Sequence, residues 1–464
     1  MIISTTIGYL GLLGGLMLLI WLALRGINIV LAALLSTALV TVTNGLPLAQ
    51  GLGEYFAFGG LGAFTFAGKF FLLFISGAMF GRVMGDSHAA SSIALAMVKR
   101  LGSHRVLWIT VISAGLLTYG GVVVFVVVFA MYPLGLKLLQ QADVPKRLFC
   151  AALALGAGTF TLTALPGTPS IHNVIASAAL GTDLYAGGWL GVLGGIIMFV
   201  LGMWYLERQR LNAAAAGEKF VPGPMDRNLN IDARTENYPA WQWALLPLLL
   251  VMATIMLPRV VTMSLGDVAA WPSGPAYTLL RFANTQPIVW PSLALFLGTA
   301  VTVLMFANVR KTALNTIGDG TQESIMPLIN TAAVIGFGGV VTHTTGFQQF
   351  TQWMLMSDLP PLLSMFTSIS LISAITGSAS GGLQIFMSTM AQDYLAMGIA
   401  PETLHRVATM AAGGFDSLPH CGAIIAMLTI TGLSHKQAYF DVGVVTVVIP
   451  VIATLSVMGV VALG

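Results

Sequence analysis

Apolar blocks of membrane-span length alternate with short polar segments along the whole chain. They cover about 5–24, 26–43, 63–84, 106–137, 148–181 and 188–206. After a polar stretch at 207–240 they resume at about 241–258, 288–307, 323–341, 361–398, 402–432 and 439–462. A crossing helix needs about 20 apolar residues. Four blocks, 106–137, 148–181, 361–398 and 402–432, are longer and carry an interruption rich in Gly, Pro, Ser and Thr. The first and third are read as re-entrant hairpins and the other two as broken crossing helices, which gives ten crossings, five per half. Segments 88–102 and 343–357 are shorter and mixed, as interfacial amphipathic helices are. The pattern predicts an all-α polytopic membrane protein.

Composition narrows the class. Of 464 residues, 56% are hydrophobic and 8% charged, against roughly 25% charged in a soluble domain. A soluble enzyme, a nucleic-acid binder and a disordered regulator are excluded. The two cysteines, Cys150 and Cys421, lie in apolar segments and imply no disulfide framework. The N-terminal stretch has no basic region and reads as an uncleaved first span. No H-E-x-x-H, G-x-S-x-G, P-loop or Cys/His metal spacing occurs, so no cofactor and no ATP-driven pump is expected.

With the N-terminus outside, 16 of the 20 Lys and Arg fall on the cytoplasmic side, all but Lys69, Arg259, Arg281 and Arg406. This is the bias of the positive-inside rule. It favours the hairpin reading, which leaves Arg105 and Lys137 on one side. Residues 207–240 form the expected cytoplasmic linker between a first half, 1–206, and a second, 241–464. Trp241, Trp243, Trp271 and Trp290 stand near proposed span ends, where interfacial anchors sit.

The halves share text. Ile112-Ser113-Ala114 recurs as Ile372-Ser373-Ala374, with Gly121 matching Gly381. Leu165-Pro166 resembles Leu418-Pro419, and Gly181 and Gly432 follow in order. Five crossings per half invert the second copy. Inverted repeats with paired interruptions mark a transporter, and the interruptions mark its binding site.

The interruptions are Thr118-Tyr119-Gly120-Gly121, the run from Thr163 to Ser170, Gly377 to Gly382, and Gly413 to Gly422. Gly and Pro free backbone groups that need partners inside a bilayer. Helix N-termini at such breaks suit a carboxylate, and hydroxyls add donors and acceptors. The candidate substrate contacts are Thr118, Gly120, Gly121, Gly167, Thr168, Ser170, Asn173, Ser378, Ser380, Gly381 and Ser417. Intramembrane ionisable residues are costly and mark function by default, which makes Asp416, His420 and His172 the candidates for the coupling ion. Four isolated packing kinks are the plain alternative. No Lys or Arg lies inside a break, so hydroxyls and backbone N–H groups are expected to hold an anion.

The text Gly77-Ala78-Met79-Phe80-Gly81-Arg82 through Lys99-Arg100-Leu101-Gly102, the Pro-Gly-Thr-Pro break at 166–169 and the Gly-Ser-Ala-Ser break at 377–380 resemble the gluconate permease (GntP) family of the ion transporter superfamily. The resemblance covers most of the chain. It implies a homodimer in the bacterial inner membrane, with a scaffold and a mobile transport domain in each protomer. It further implies elevator-like, proton-coupled uptake of a sugar acid or short hydroxy acid. The first tip reads Thr-Tyr-Gly-Gly where a Glu-bearing tip is expected, and the broken helices lack the more polar His- and Asn-bearing versions. These departures point away from gluconate and toward a smaller carboxylate. Sodium coupling and an anion channel are the rival readings.

Overall fold

The computed structural model describes residues 2–122, 124–223, 238–265 and 274–463, and every described regular element is helical. Among the described residues, six helices are long and apolar enough to cross a membrane: Thr6–Leu24, Ala49–Asp86, Gly188–Ala215, Trp241–Pro258, Ala313–Val341 and His435–Leu463. Pro275–Thr285 and Val289–Met305 add a seventh if that pair, bent by 108°, is one span. All seven overlap spans expected from the sequence. The rest of the expected ten are the 15-residue helix Ile29–Thr43 and the two broken helices. These are shorter than a bilayer as single helices because Asn44 and the Gly/Pro breaks end them early.

One group of helices packs around the pair Ala63–Asp86 and Ala313–Val341. Small residues let these backbones approach, as membrane helices require. A Cβ on Gly320 would lie 2.9 Å from Met79 Cα, and one on Gly339 would lie 2.6 Å from the Tyr55 carbonyl. At one end Arg82 binds Asp86 at 3.2 Å and Glu323 at 2.6 Å. Ile29–Thr43 and Val289–Met305 flank the pair, and Trp241–Leu265 packs on Val289–Met305. Trp290 is not an interfacial anchor. It is buried and donates from Nε1 to the Thr254 carbonyl at 3.1 Å, joining two helices.

The second group holds the interrupted segments. The first helical hairpin is Val106–Tyr119 with Val124–Ala142, and the second is Pro361–Thr376 with Ala379–Thr389. Gly121 (φ 98°) and Gly377 (φ 59°) make the turns in the left-handed region, which side chains other than glycine rarely adopt. The first broken helix runs Lys146–Gly158, Phe160–Thr163 and Ile171–Leu180; the second runs Pro401–Phe415 and Gly422–Thr431. Packing between them is reciprocal. Ile171–Leu180 lies on Ala379–Thr389, and Gly422–Thr431 lies on Val124–Ala142, where Tyr132 donates to the Thr431 carbonyl at 3.1 Å.

Gly188–Ala215 continues beyond residue 206 into the expected linker. Just past it, Glu218 takes two bonds from Arg147, at 2.8 and 2.7 Å. Arg147 also binds Asp441, to which Tyr205 donates at 2.8 Å. Linker residues 224–237 and Trp271 lie outside the described residues.

Candidate functional site

Each hairpin tip rests on the break of its own half. In the first half, Tyr119 donates from its hydroxyl to the Pro166 carbonyl at 2.8 Å. A Cβ on Gly121 would sit 3.0 Å from Pro169 and 2.6 Å from Leu295, and one on Gly120 would sit 2.3 Å from Leu248. This tip is therefore wedged between the first break and the helices Trp241–Leu265 and Val289–Met305. The Thr118 hydroxyl is occupied within the protein, donating to the Ala114 carbonyl at 2.9 Å with Thr161 Oγ1 2.8 Å away.

Ser170 caps Ile171–Leu180. Its hydroxyl accepts from the Asn173 N–H at 3.3 Å and donates to the Leu162 carbonyl at 2.7 Å. The Asn173 side chain ties the break across its own loop, donating from Nδ2 to the Thr168 and Leu184 carbonyls, both at 2.9 Å. Gly167 has φ 82°, and a Cβ there would meet the Tyr185 ring at 2.4 Å. Two buried polar atoms flanking this helix start have no hydrogen-bond partner, Thr168 Oγ1 and His172 Nδ1. Native proteins leave few such groups, and each calls for an explanation such as a bound ligand.

In the second half, Ser378 caps Ala379–Thr389, accepting from the Gly381 N–H at 3.2 Å, with Ser380 Oγ 3.3 Å away. Asp416 closes Pro401–Phe415, and its carboxylate lies beside the Ala379 main-chain N–H and accepts from the Ser417 hydroxyl at 3.1 Å. The carboxyl thus sits at the start of the hairpin's second arm. His420 meets the other arm. Its Nε2 bonds the Ala374 carbonyl at 3.1 Å, and a Cβ on Gly377 would lie 2.6 Å from its ring. Asp416 and His420, both candidates for the coupling ion, thus stand against different arms of the same tip.

The two breaks meet. A Cβ on Gly413 would fall 2.4 Å from Thr163 Cγ2, so the broken helices cross in near-backbone contact. Beside the crossing, His405 Nε2 lies 2.7 Å from Asn173 Oδ1, and its Nδ1 lies 2.7 Å from Thr182 Oγ1. The next residue, Arg406, is fully buried and bonds the Ala164, Leu184 and Ala186 carbonyls at 2.8–3.3 Å. Sequence reading missed both residues. No cation lies within a break, yet one from the second half reaches the backbone around the first. The available signal was the charge itself, an Arg inside the block 402–432. Among the described residues, no group of three or more His, Cys, Asp or Glu is placed to hold a metal ion.

The profile of GntP family permeases matches residues 7–463. The chain belongs to the GntP permease family. Membership makes it a membrane transporter and not an enzyme. This GntP permease is 35% identical over 478 residues to the uncharacterized transporter YxjC of Bacillus subtilis, covering 96% of both chains. It is 26% identical over 369 residues to the high-affinity gluconate transporter of Escherichia coli, covering 78% of this chain and 76% of that one. Its fold resembles the YdaH transporter of Alcanivorax borkumensis, with TM-score 0.54 at 14% identity over 97% of this chain and 98% of that one. It also resembles MtrF of Neisseria gonorrhoeae, with TM-score 0.52 at 15% identity over 85% and 81%. With bacterial relatives throughout, the permease is a multi-pass protein of the inner-membrane type.

Proposed function

We propose that this permease imports a small organic anion, a sugar acid or short hydroxy acid, by proton symport. The observation that carries the reading is the first break. Two buried polar atoms, Thr168 Oγ1 and His172 Nδ1, stand without partners beside the start of Ile171–Leu180. A helix start presents N–H groups and positive potential, and a carboxylate or substrate hydroxyl supplies the missing partners. The gluconate transport of one relative agrees with this chemistry. The substrate contacts are Thr168, Gly167, Ser170 and Asn173 at the first break, with Ser378, Ser380, Gly381 and Ser417 across the crossing. Thr118, Gly120 and Gly121 complete the set from the first tip. Asp416, His420 and His172 are the residues assigned to the coupling proton, with Asp416 at the start of Ala379–Thr389 as its first carrier.

The reciprocal packing of hairpins and broken helices supports two inverted repeats, 1–206 and 241–464, joined by 207–240. The helices around Ala63–Asp86 and Ala313–Val341 serve as the scaffold, on which a homodimer forms. The hairpins and broken helices move past it as an elevator, since their breaks bond mainly to one another.

The test is uptake by purified protein in liposomes. Labelled gluconate, glycerate and lactate are each offered under an inward proton gradient or an inward Na⁺ gradient. Accumulation driven by the proton gradient is the expected result. Accumulation under Na⁺ alone would overturn the coupling, and no movement of any carboxylate would overturn the substrate class.

A further inference from the structure

The strongest unexplained feature is the pair His405–Arg406. An arginine sealed from solvent within a membrane-embedded bundle is expensive unless its donors are all met. Here they go to main-chain oxygens that frame the first break: Nη1 to Ala164 at 3.0 Å, Nε and Nη2 to Ala186 at 3.1 and 2.8 Å, and Nη2 to Leu184 at 3.3 Å. Glycines hold the side chain in place. A Cβ on Gly191 would lie 2.9 Å from Arg406 Cδ and 2.2 Å from the Ala164 carbonyl, and one on Gly187 would lie 2.7 Å from Arg406 Cβ. A larger residue at either glycine would displace the Arg406 side chain.

His405 works on the same loop from the side. Both Asn173 amide hydrogens go to carbonyls, at Thr168 and Leu184. Asn173 Oδ1 is therefore an acceptor, and His405 Nε2 carries the hydrogen it receives. In the neutral ring Nδ1 then accepts from the Thr182 hydroxyl. Leu184 O is shared, taking bonds from both Asn173 and Arg406. Five groups of one segment, 164–186, which includes the helix Ile171–Leu180, are thus fixed by two consecutive residues of the other half.

We propose that His405 and Arg406 are positioning residues that hold the first break open to an anion without touching it. Three carbonyl oxygens that would repel a carboxylate are drawn to Arg406, and Asn173 is held so that it clamps the backbone at Thr168. The N–H groups of Ile171–Leu180 and the unpartnered Thr168 hydroxyl are left to face the ligand. This rests on the reading of the first break as the substrate site, and it makes affinity at that break a property of a second-half helix.

The test separates positioning from transport. Cys150 and Cys421 are replaced by Ala, Thr168→Cys is introduced, and the rate of N-ethylmaleimide labelling is measured on the folded, substrate-free protein in detergent. Labelling of a buried thiol follows local opening. Leaving buried groups of that segment unpaired costs about 1–3 kcal/mol and raises that opening about 10-fold or more. Arg406→Lys and His405→Ala are expected to label at least that much faster than the parent. His405→Gln, whose amide can donate to Asn173 and accept from Thr182, is expected to label near the parent rate. In liposomes with Thr168 intact, Arg406→Lys and His405→Ala raise the KM for glycerate with little change in kcat, and His405→Gln restores it. Unchanged labelling in both His405→Ala and Arg406→Lys overturns the proposal, as does fast labelling in His405→Gln equal to that of His405→Ala. Should Arg406→Lys fail to fold, the His405 pair decides alone. If no carboxylate is transported by the parent, the substrate reading fails while the labelling result still stands.

Discussion

Thr168→Val separates a ligand-binding hydroxyl from a structural one, because the two roles predict opposite signs. Thr168 is fully buried and its Oγ1 has no partner in the substrate-free protein. Leaving a buried hydroxyl unpaired costs about 1–3 kcal/mol. Valine keeps the β-branch and its χ1 preference while replacing that hydroxyl with a methyl group. The substrate-free variant is therefore expected to be more stable than the parent, by about 1 kcal/mol or more. The bound state loses a hydrogen bond to a charged ligand, worth roughly 1.5–3 kcal/mol, or about 10- to 100-fold in affinity. Two assays read this: the temperature at which protein in detergent leaves the monodisperse peak without substrate, and the KM of uptake in liposomes. A higher transition temperature with a raised KM is the expected outcome. A lower transition temperature with an unchanged KM would show that the hydroxyl serves the fold, and the site reading at the first break would fall with it.

The crossing of the broken helices predicts that Gly413→Ala is destabilising, because its Cβ would approach Thr163 Cγ2 to 2.4 Å where carbon pairs prefer about 3.5–4.0 Å. The cost is about 1–3 kcal/mol, and Thr163→Ser, which removes Cγ2, should recover part of it in the same thermal assay. Asp416→Asn should abolish proton-driven accumulation while substrate exchange survives, and normal accumulation in liposomes would remove Asp416 from the coupling role. Hydrogen bonds from Arg147 hold the Glu218 carboxyl below its ordinary range. Its stabilisation is complete above the unfolded value of about 4.3 and is lost as pH falls through the lower folded value. Glu218→Gln should thus be less stable than the parent at neutral pH, by under about 1 kcal/mol at this partly exposed pair, and equal to it in strong acid. A reporter fused at Gly217 should read cytoplasmic, and one at Ser273 periplasmic; the reverse would overturn the orientation.

Much of the fold was legible because it is written locally. Asn44, Gly121, Gly377 and the Pro166–Pro169 run end or turn helices by their own backbone geometry, whatever lies nearby. Helices consequently end at Tyr119, Thr163, Thr376 and Phe415, at the four Gly- and Pro-rich interruptions. The roles of single hydroxyls were less legible, since a Ser or Thr near a break can cap, back-bond or face a ligand. Ser170 and Ser378 cap helices and Thr118 bonds its own preceding turn, while only Thr168 among the candidate hydroxyls has a buried Oγ without a partner.

What sequence could not supply was the partner of each freed backbone group. A break exposes carbonyls, and hydrocarbon offers them nothing, so some distant side chain must answer. Arg406 does so from 242 residues away in the case of Ala164, and no spacing rule connects the two positions. The consequence reaches motion. Arg406 is boxed in by Gly187 and Gly191, and Gly413 touches Thr163; the second broken helix therefore cannot slide along the first without stripping a buried guanidinium of its acceptors. Removing one partner from such a buried charge costs several kcal/mol, about 3–5 for a buried pair. In the elevator proposed above, both breaks then travel together as one body. That proposal puts the yielding surface at the seam where Gly120 and Gly121 pack on Leu248 and Leu295, because apolar contacts can be remade after a displacement.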